Sequence, residues 1–202
     1  MKGDLIMRFT TRTKVVIING KPQSGKDTFC KYARGYCDDY ESANTLIISS
    51  VDPLKEMLTQ LGWDGTKTDK IHDMLMDMKQ LWVQNQDGPT MFLFNNILEF
   101  HKACTGEDNI VFVHIREPEE IKKLVNALTG FESMGIDVIS LLIIRKGGED
   151  TQNQPAETRK SDDEALINSY NYDITINNDG DLIRLQELAA EFVDKLLEDE
   201  YE

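Results

Sequence analysis

The stretch KVVIINGKPQSGKDTFC, residues 14–30, decides how the whole chain is read. KVVIIN is a short β-branched run and predicts a buried strand. GKPQSGKDT follows, beginning at Gly20, and the residues after it can continue as a helix. Gly20, Gly25 and Lys26 fall on G-x-x-x-x-G-K. The chemistry of that spacing is the binding of phosphate. Glycines let backbone N–H groups converge on phosphate oxygens without a Cβ in the way, the lysine reaches the terminal phosphates, and the helix N-terminus adds the positive end of its dipole. Ser24 belongs to the same turn. The next fixed position ordinarily carries a hydroxyl that ligates Mg²⁺, and here it is Asp27, with Thr28 after it. Asp27 is expected to meet the metal directly or through water, with Thr28 supplying a hydroxyl. A carboxylate in a helix's first turn is also favoured by the dipole alone.

Outward from this loop, apolar runs alternate with amphipathic segments. TLIISS (45–50), IVFVHI (110–115), residues 138–144 and residues 172–176 predict further strands. Asp52 reads as an N-cap, with Pro53 in the first turn of a helix. Ile71, Met74, Leu75, Met78, Leu81 and Trp82 form one helical stripe and are expected in the core. A second helix is expected from 91 to 104, after the break QNQDGP. Glu117, Glu119 and Glu120 flank Pro118 at a helix start, where negative charge suits the dipole. Residues 182–197 predict a final amphipathic helix. The polar stretch RKGGEDTQNQPAETRKSDDE is long for a compact domain and reads as a lid over about 146–161. Strands alternating with helices imply an α/β fold: a three-layer, parallel sheet of about five strands with helices on both faces. No linker divides residues 1–202, so one domain is expected, with an acidic, solvated tail at 198–202.

Composition limits the partners. The 202 residues are 40% hydrophobic and 29% charged, as in a globular protein rather than a disordered one. No apolar run approaches the ~20 residues of a membrane span, so no membrane partner and a cytoplasmic location are expected. Twenty-two basic residues against 36 acidic give a net charge of −14. A nonspecific nucleic-acid binder needs a basic surface, so none is expected here. A small anionic ligand remains compatible, because a few cations converging on one pocket suffice. Cys30 and Cys37 lie seven apart, ~10.5 Å of helical rise, too far for a disulfide. No Cys or His pairing has zinc spacing. Monomer and homodimer both stay open.

With SGKDT, residues 24–28, the chain resembles the phage-type deoxynucleoside monophosphate kinases and, more distantly, the animal-type phosphomevalonate kinases, within the nucleoside monophosphate kinase-like group of P-loop folds. SSVDPLKEML is similar to their segment after the second strand, and DKIHDMLMDMKQLW to the helix lining their acceptor site. VHIREPEEI stands where they have a strand ending in D-x-R. The ending from Arg159, through NNDG, is similar to their lid, short strand and last helix. The resemblance spans roughly residues 14–198.

That resemblance implies an ATP-dependent kinase using Mg²⁺, which passes the γ-phosphoryl group to a small phosphorylated acceptor, first a (deoxy)nucleoside monophosphate. Lys26 and the loop around Ser24 and Gly25 would hold ATP phosphates. Asp52, Lys55 and Arg116 would serve the acceptor phosphate or the transferring group. Arg145 and the lid residues Arg159 and Lys160 would close over the triphosphate. Asn177, Asn178 and Gly180 would lie near the adenine. Two positions depart from the pattern. His114 replaces the aspartate of D-x-R, and His72 stands where an acceptor-binding arginine often appears. These keep two alternatives in play: a non-nucleotide phosphate acceptor, and a nucleotide-binding regulator without turnover.

Overall fold

The computed structural model describes residues 11–66, 68–145, 167, 169–199 and 201. Strand β1 (Arg12–Asn19) is buried along nearly its whole length. Its residues alternate between two cores: Val16 and Ile18 face one side, Val15 and Ile17 the other. A strand covered on both faces reads as an unbroken apolar run. Around it lie β2 (Asn44–Ser49), β3 (Asp108–His114), β4 (Ile136–Ile144) and β5 (Ile174–Asn177). The order is β2-β3-β1-β4-β5, and every pairing is parallel. With all strands parallel, all their C-terminal ends meet at one edge, and β1 stands at its centre.

Helix α1 (Lys26–Tyr40) buries Phe29, Cys30, Ala33 and Cys37 on one face of the sheet. There it packs beside α6 (Leu182–Leu197), and Phe29 meets Phe192 edge to face at 5.5 Å. On the other face α4 (Gly88–Ala103) and α5 (Pro118–Thr129) bury Leu93, Ile97, Ile121, Leu124 and Leu128. The three expected layers are present. Cys30 and Cys37 are both buried and free.

Four local expectations are corrected. Helix α2 (Asp52–Gln60) begins at Asp52, and Val51 is its N-cap. The Asp52 carboxylate turns back and accepts from the Ser49 N–H at 2.7 Å instead of capping the helix. Helix α3 (Asp69–Gln86) does not bury the Ile71–Trp82 stripe; Met74 and Leu81 are exposed and Lys79 is its one buried side chain. α3 lies against α2 and α4 rather than on the sheet, so no large apolar surface is there to cover its stripe. α4 starts at Gly88, directly after a left-handed Asp87, and the Trp82 indole lies over Gly88 where a Cβ would stand. Among the described residues of the acidic end, Asp199 is not simply solvated: it bonds Lys14 Nζ at 2.7 Å and Arg12 at 2.8 Å, and Tyr201 packs on Phe192. Asp199 thus serves the cations at the start of β1.

His101, on α4, is buried with Nδ1 2.8 Å from the Thr13 hydroxyl. Burial pushes its imidazole below the ordinary 6.5. The unfolded chain therefore takes up a proton that the folded chain refuses. Stability from this group is complete above about pH 6.5 and is lost as the pH falls through the lower folded value. Melting temperatures followed from neutral pH down to about pH 5 should decline less steeply for His101→Asn than for the natural chain. Parallel declines would show that His101 protonates equally in both states.

A candidate phosphate-binding site at the sheet edge

The turn from β1 into α1 is shaped by close backbone approach. Gly20 has φ 157°, and a Cβ there would sit 2.5 Å from Ser24 Oγ and 2.6 Å from the Ile143 carbonyl. Gly25 has φ 94°, and its Cβ would fall on Asn178 Nδ2. No L side chain fits either position. The first glycine is held from behind by Asn19, which is 1% exposed. Asn19 Oδ1 accepts from the Gly20 N–H at 2.8 Å, and its Nδ2 donates to Tyr172 Oη at 2.7 Å and to the Arg116 carbonyl at 3.2 Å. One amide thus ties the loop, the exit of β3 and the segment before β5. Burial raises the Tyr172 hydroxyl to about 12, so it remains protonated. The far side of the loop is held by Asn178, whose Nδ2 donates to the Ser24 carbonyl at 2.8 Å.

Within this loop Ser24 Oγ is buried and, among the described residues, makes no hydrogen bond. An orphaned buried hydroxyl costs about 1–3 kcal/mol unless a ligand satisfies it. Beside it opens a cavity of about 430 Å³. Of the residues the sequence singles out, Gly25, Lys26, Asp27, Thr28, Arg145 and Gly180 line it. Gln23, Asp181, Leu182 and Leu185 also line it and were not singled out; the two leucines, at a hydrophobic helix start, carry no chemical signature. Of the two neighbouring asparagines, Asn178 faces the cavity; Asn177 ends β5 on its exposed edge and is not among the lining residues.

The acceptor-side candidates form a second group at the same edge. Lys26 Nζ stands 3.4 Å from Asp27 Oδ1, and the Asp27 side chain is 68% exposed. His114, at the end of β3, has Nδ1 3.8 Å from the same carboxylate oxygen. Burial pushes the His114 imidazole down, against a smaller upward pull from Asp27. Lys55 bonds Asp52 at 3.0 Å, so both are brought to the exit of β2. Arg116, two residues beyond β3, has its backbone fixed by Asn19. The acids that follow it have lysine partners: Glu117 bonds Lys79, Glu119 bonds Lys122 and Glu120 bonds Lys123. Lys79 was not foreseen. The available signal was a lysine inside the apolar stripe, four residues after Leu75 and three before Trp82. His72 is exposed on α3. Arg159 and Lys160, and the lid span 146–161, lie outside the described residues. Among the described residues no three His, Cys, Asp or Glu side chains gather to hold a metal.

No protein-family model matches the chain, and no curated protein matches it in sequence. Solved structures do resemble it. The APS kinase of Mycobacterium tuberculosis, in complex with AMPPNP and APS, aligns with a TM-score of 0.50 at 15% identity, over 92% of this chain and 98% of that one. A gluconokinase from Sinorhizobium meliloti aligns at 0.49 and 12% identity, over 96% and 97%. The tunicamycin resistance protein of Deinococcus radiodurans aligns at 0.48 and 17%, over 90% and 96%. The first of these shows that the chain shares that kinase's α/β fold. No helix among the described residues is long and apolar enough to cross a membrane.

The loop separates two effects on stability. Ser24→Ala removes an unsatisfied buried hydroxyl and should leave the melting temperature unchanged or raise it. Asn178→Ala strips a buried carbonyl of its partner and should lower stability by about 1–3 kcal/mol. Thermal unfolding of both variants checks this; a destabilised Ser24→Ala would mean the hydroxyl already has a bond in the unliganded loop.

Proposed function

We propose that this chain is an ATP-dependent P-loop kinase that moves the γ-phosphoryl group of Mg·ATP to a small phosphorylated acceptor, with a (deoxy)nucleoside monophosphate as the first choice. The observation that carries the reading is the loop 20–28. It has two glycines that tolerate no Cβ, an orphaned buried Ser24 hydroxyl, Lys26 at the start of α1, and a cavity alongside. That combination fits a triphosphate. The loop N–H groups and Ser24 would take phosphate oxygens, and Lys26 would neutralise the β- and γ-phosphates. Arg145 and Gly180 line the cavity on its other wall, where the rest of the nucleotide would lie. Asp27 and Thr28 offer two oxygens for Mg²⁺ beside the phosphates, which usually supply most of its other ligands. When bound, the ion would neutralise charge between the phosphoryl groups.

In transfer, an acceptor oxygen would attack the γ-phosphorus as the bond to the ADP oxygen breaks. The protein's part would be positioning and charge neutralisation. Lys55 and Arg116 follow β2 and β3 and would meet the acceptor on the side of the loop away from the nucleotide cavity. Asp52 would hold Lys55 in place. The resemblance to the phage-type kinases, carried by SGKDT and VDPLK, supports the nucleotide acceptor. A second reading, a nucleotide-binding regulator without turnover, is favoured by one observation: β3 ends in His114, which burial keeps neutral, and not in a carboxylate.

The two readings separate on ADP release from ATP across a panel of nucleoside monophosphates, run beside calorimetric ATP binding. The kinase reading expects turnover with at least one acceptor. Tight ATP binding with none supports the regulator. Lys26→Ala should abolish turnover and weaken ATP binding while the chain still melts cooperatively; unchanged affinity and turnover would refute the loop's role. Arg116→Lys keeps the charge but loses the paired geometry of a guanidinium. It should slow turnover by roughly 10²–10³ at an unchanged melting temperature, the usual loss for one charge contact in a dry site. Near-normal turnover would assign Arg116 to the helix start alone.

A further inference from the structure

Helix α3 is eighteen residues long and has one buried side chain, and that side chain is a lysine. Lys79 is 5% exposed. Its Nζ makes a short ion pair with Glu117 Oε2. Glu117 is the N-cap residue of α5 yet makes no capping bond there; its carboxylate turns toward α3 instead. Burying such a pair gains little over burying two apolar side chains. A methionine at 79 would continue the stripe of Leu75, Met78 and Trp82 and stabilise the contact as well. What the pair supplies is a directed connection between α3 and one point on the sheet edge.

That point is the peptide after Arg116. The Arg116 carbonyl accepts from Asn19, and the Glu117 side chain is held by Lys79. Two bonds from different elements therefore fix consecutive residues of the β3–α5 turn. His114, at the start of the same turn, stands across from Asp27 of the phosphate loop. Three residues further along α3, less than one turn away, Trp82 rests on Gly88 and against Phe92, 6.3 Å between ring centroids. The helix is thus seated on α4 by its tryptophan and reaches the turn through Lys79.

We propose that Lys79, through Glu117, is a positioning residue that sets Arg116 against the phosphate loop. The functional half of this rests on the kinase reading above. The full chain carrying Lys79→Met together with Glu117→Leu tests it, because the double change removes the pair without leaving a lone buried charge. Its melting temperature should stay near that of the natural chain, whereas either single change should lower it. Two readouts follow. Amide hydrogen exchange of residues 115–117 should quicken about tenfold in the double variant at equal global stability, since only local opening is affected. Exchange at the natural rate would overturn the proposal, whatever the protein's activity. ADP release from ATP with dAMP, dCMP, dGMP and dTMP supplies the second. Turnover with the accepted substrate should fall about a hundredfold in kcat/KM, the scale of a small misplacement of a reacting group, with ATP affinity unchanged. Normal kcat/KM alongside loosened exchange would also overturn it, leaving Lys79 a structural tether. No turnover by the natural chain with any of the four would count against the nucleotide kinase reading and not against the tether, which exchange decides independently.

Discussion

The site depends on a close approach of backbone to backbone. Where β1 ends, the chain must turn beneath the Ile143 carbonyl and around Ser24, in a space that admits no Cβ at Gly20. Asn19 makes that turn possible by bonding the Gly20 N–H and, with its other side, the Arg116 carbonyl and Tyr172. Because β1 is the middle strand of a parallel sheet, the same turn lies between the exits of β3 and β4. Every other candidate group is placed relative to it. Asn178 braces the loop from the β5 side, and His114 faces Asp27 from the β3 side. The open crevice at the strand C-termini is therefore a consequence of parallel pairing around one glycine turn.

The parts of this arrangement visible in the sequence are those where residue type and backbone demand coincide. The apolar strand before Gly20, the two glycines and Lys26 each have a single structural use, and they fall where the sequence puts them. The α3 stripe misled for the opposite reason. Its periodicity was correct and the helix exists, but periodicity does not say what covers a face. α3 packs on other helices rather than on the sheet, so Met74 and Leu81 stay exposed. Asp52 misled because an acid before Pro53 has two good uses, capping forward or folding back onto Ser49. Asn19 gave no signal, since an asparagine ending a strand is unremarkable until Arg116 and Tyr172, distant in sequence, are brought beside it.

Net charge and site charge are separate matters here. The chain carries −14, yet Lys26, Lys55, Lys79, Arg116 and Arg145 all sit near one sheet edge. Three of these lysines already have a carboxylate beside them: Asp27, Asp52 and Glu117. In the kinase reading, a cation held by a partly exposed acid would keep its place without a ligand, and an arriving phosphate would share it. The acids offset the repulsion between neighbouring cations at this edge.

His114 bears on how such an edge handles charge. An aspartate at the end of β3 would place a fixed negative charge against Asp27. His114 contributes none while burial keeps it neutral. The negative charge at this edge is instead carried by Asp27 on α1 and Asp52 on α2, both partly exposed and each beside a lysine. In the kinase reading, a Mg²⁺ ion would be approached by protein oxygen from the helix side of the loop rather than from the floor of the sheet. The histidine and the Asp27 substitution in the G-x-x-x-x-G-K-[ST] pattern then have one explanation. In that reading a single acid, on the first turn of α1, would lie near the phosphates, where an acid at 114 as well would set a second negative charge opposite Asp27.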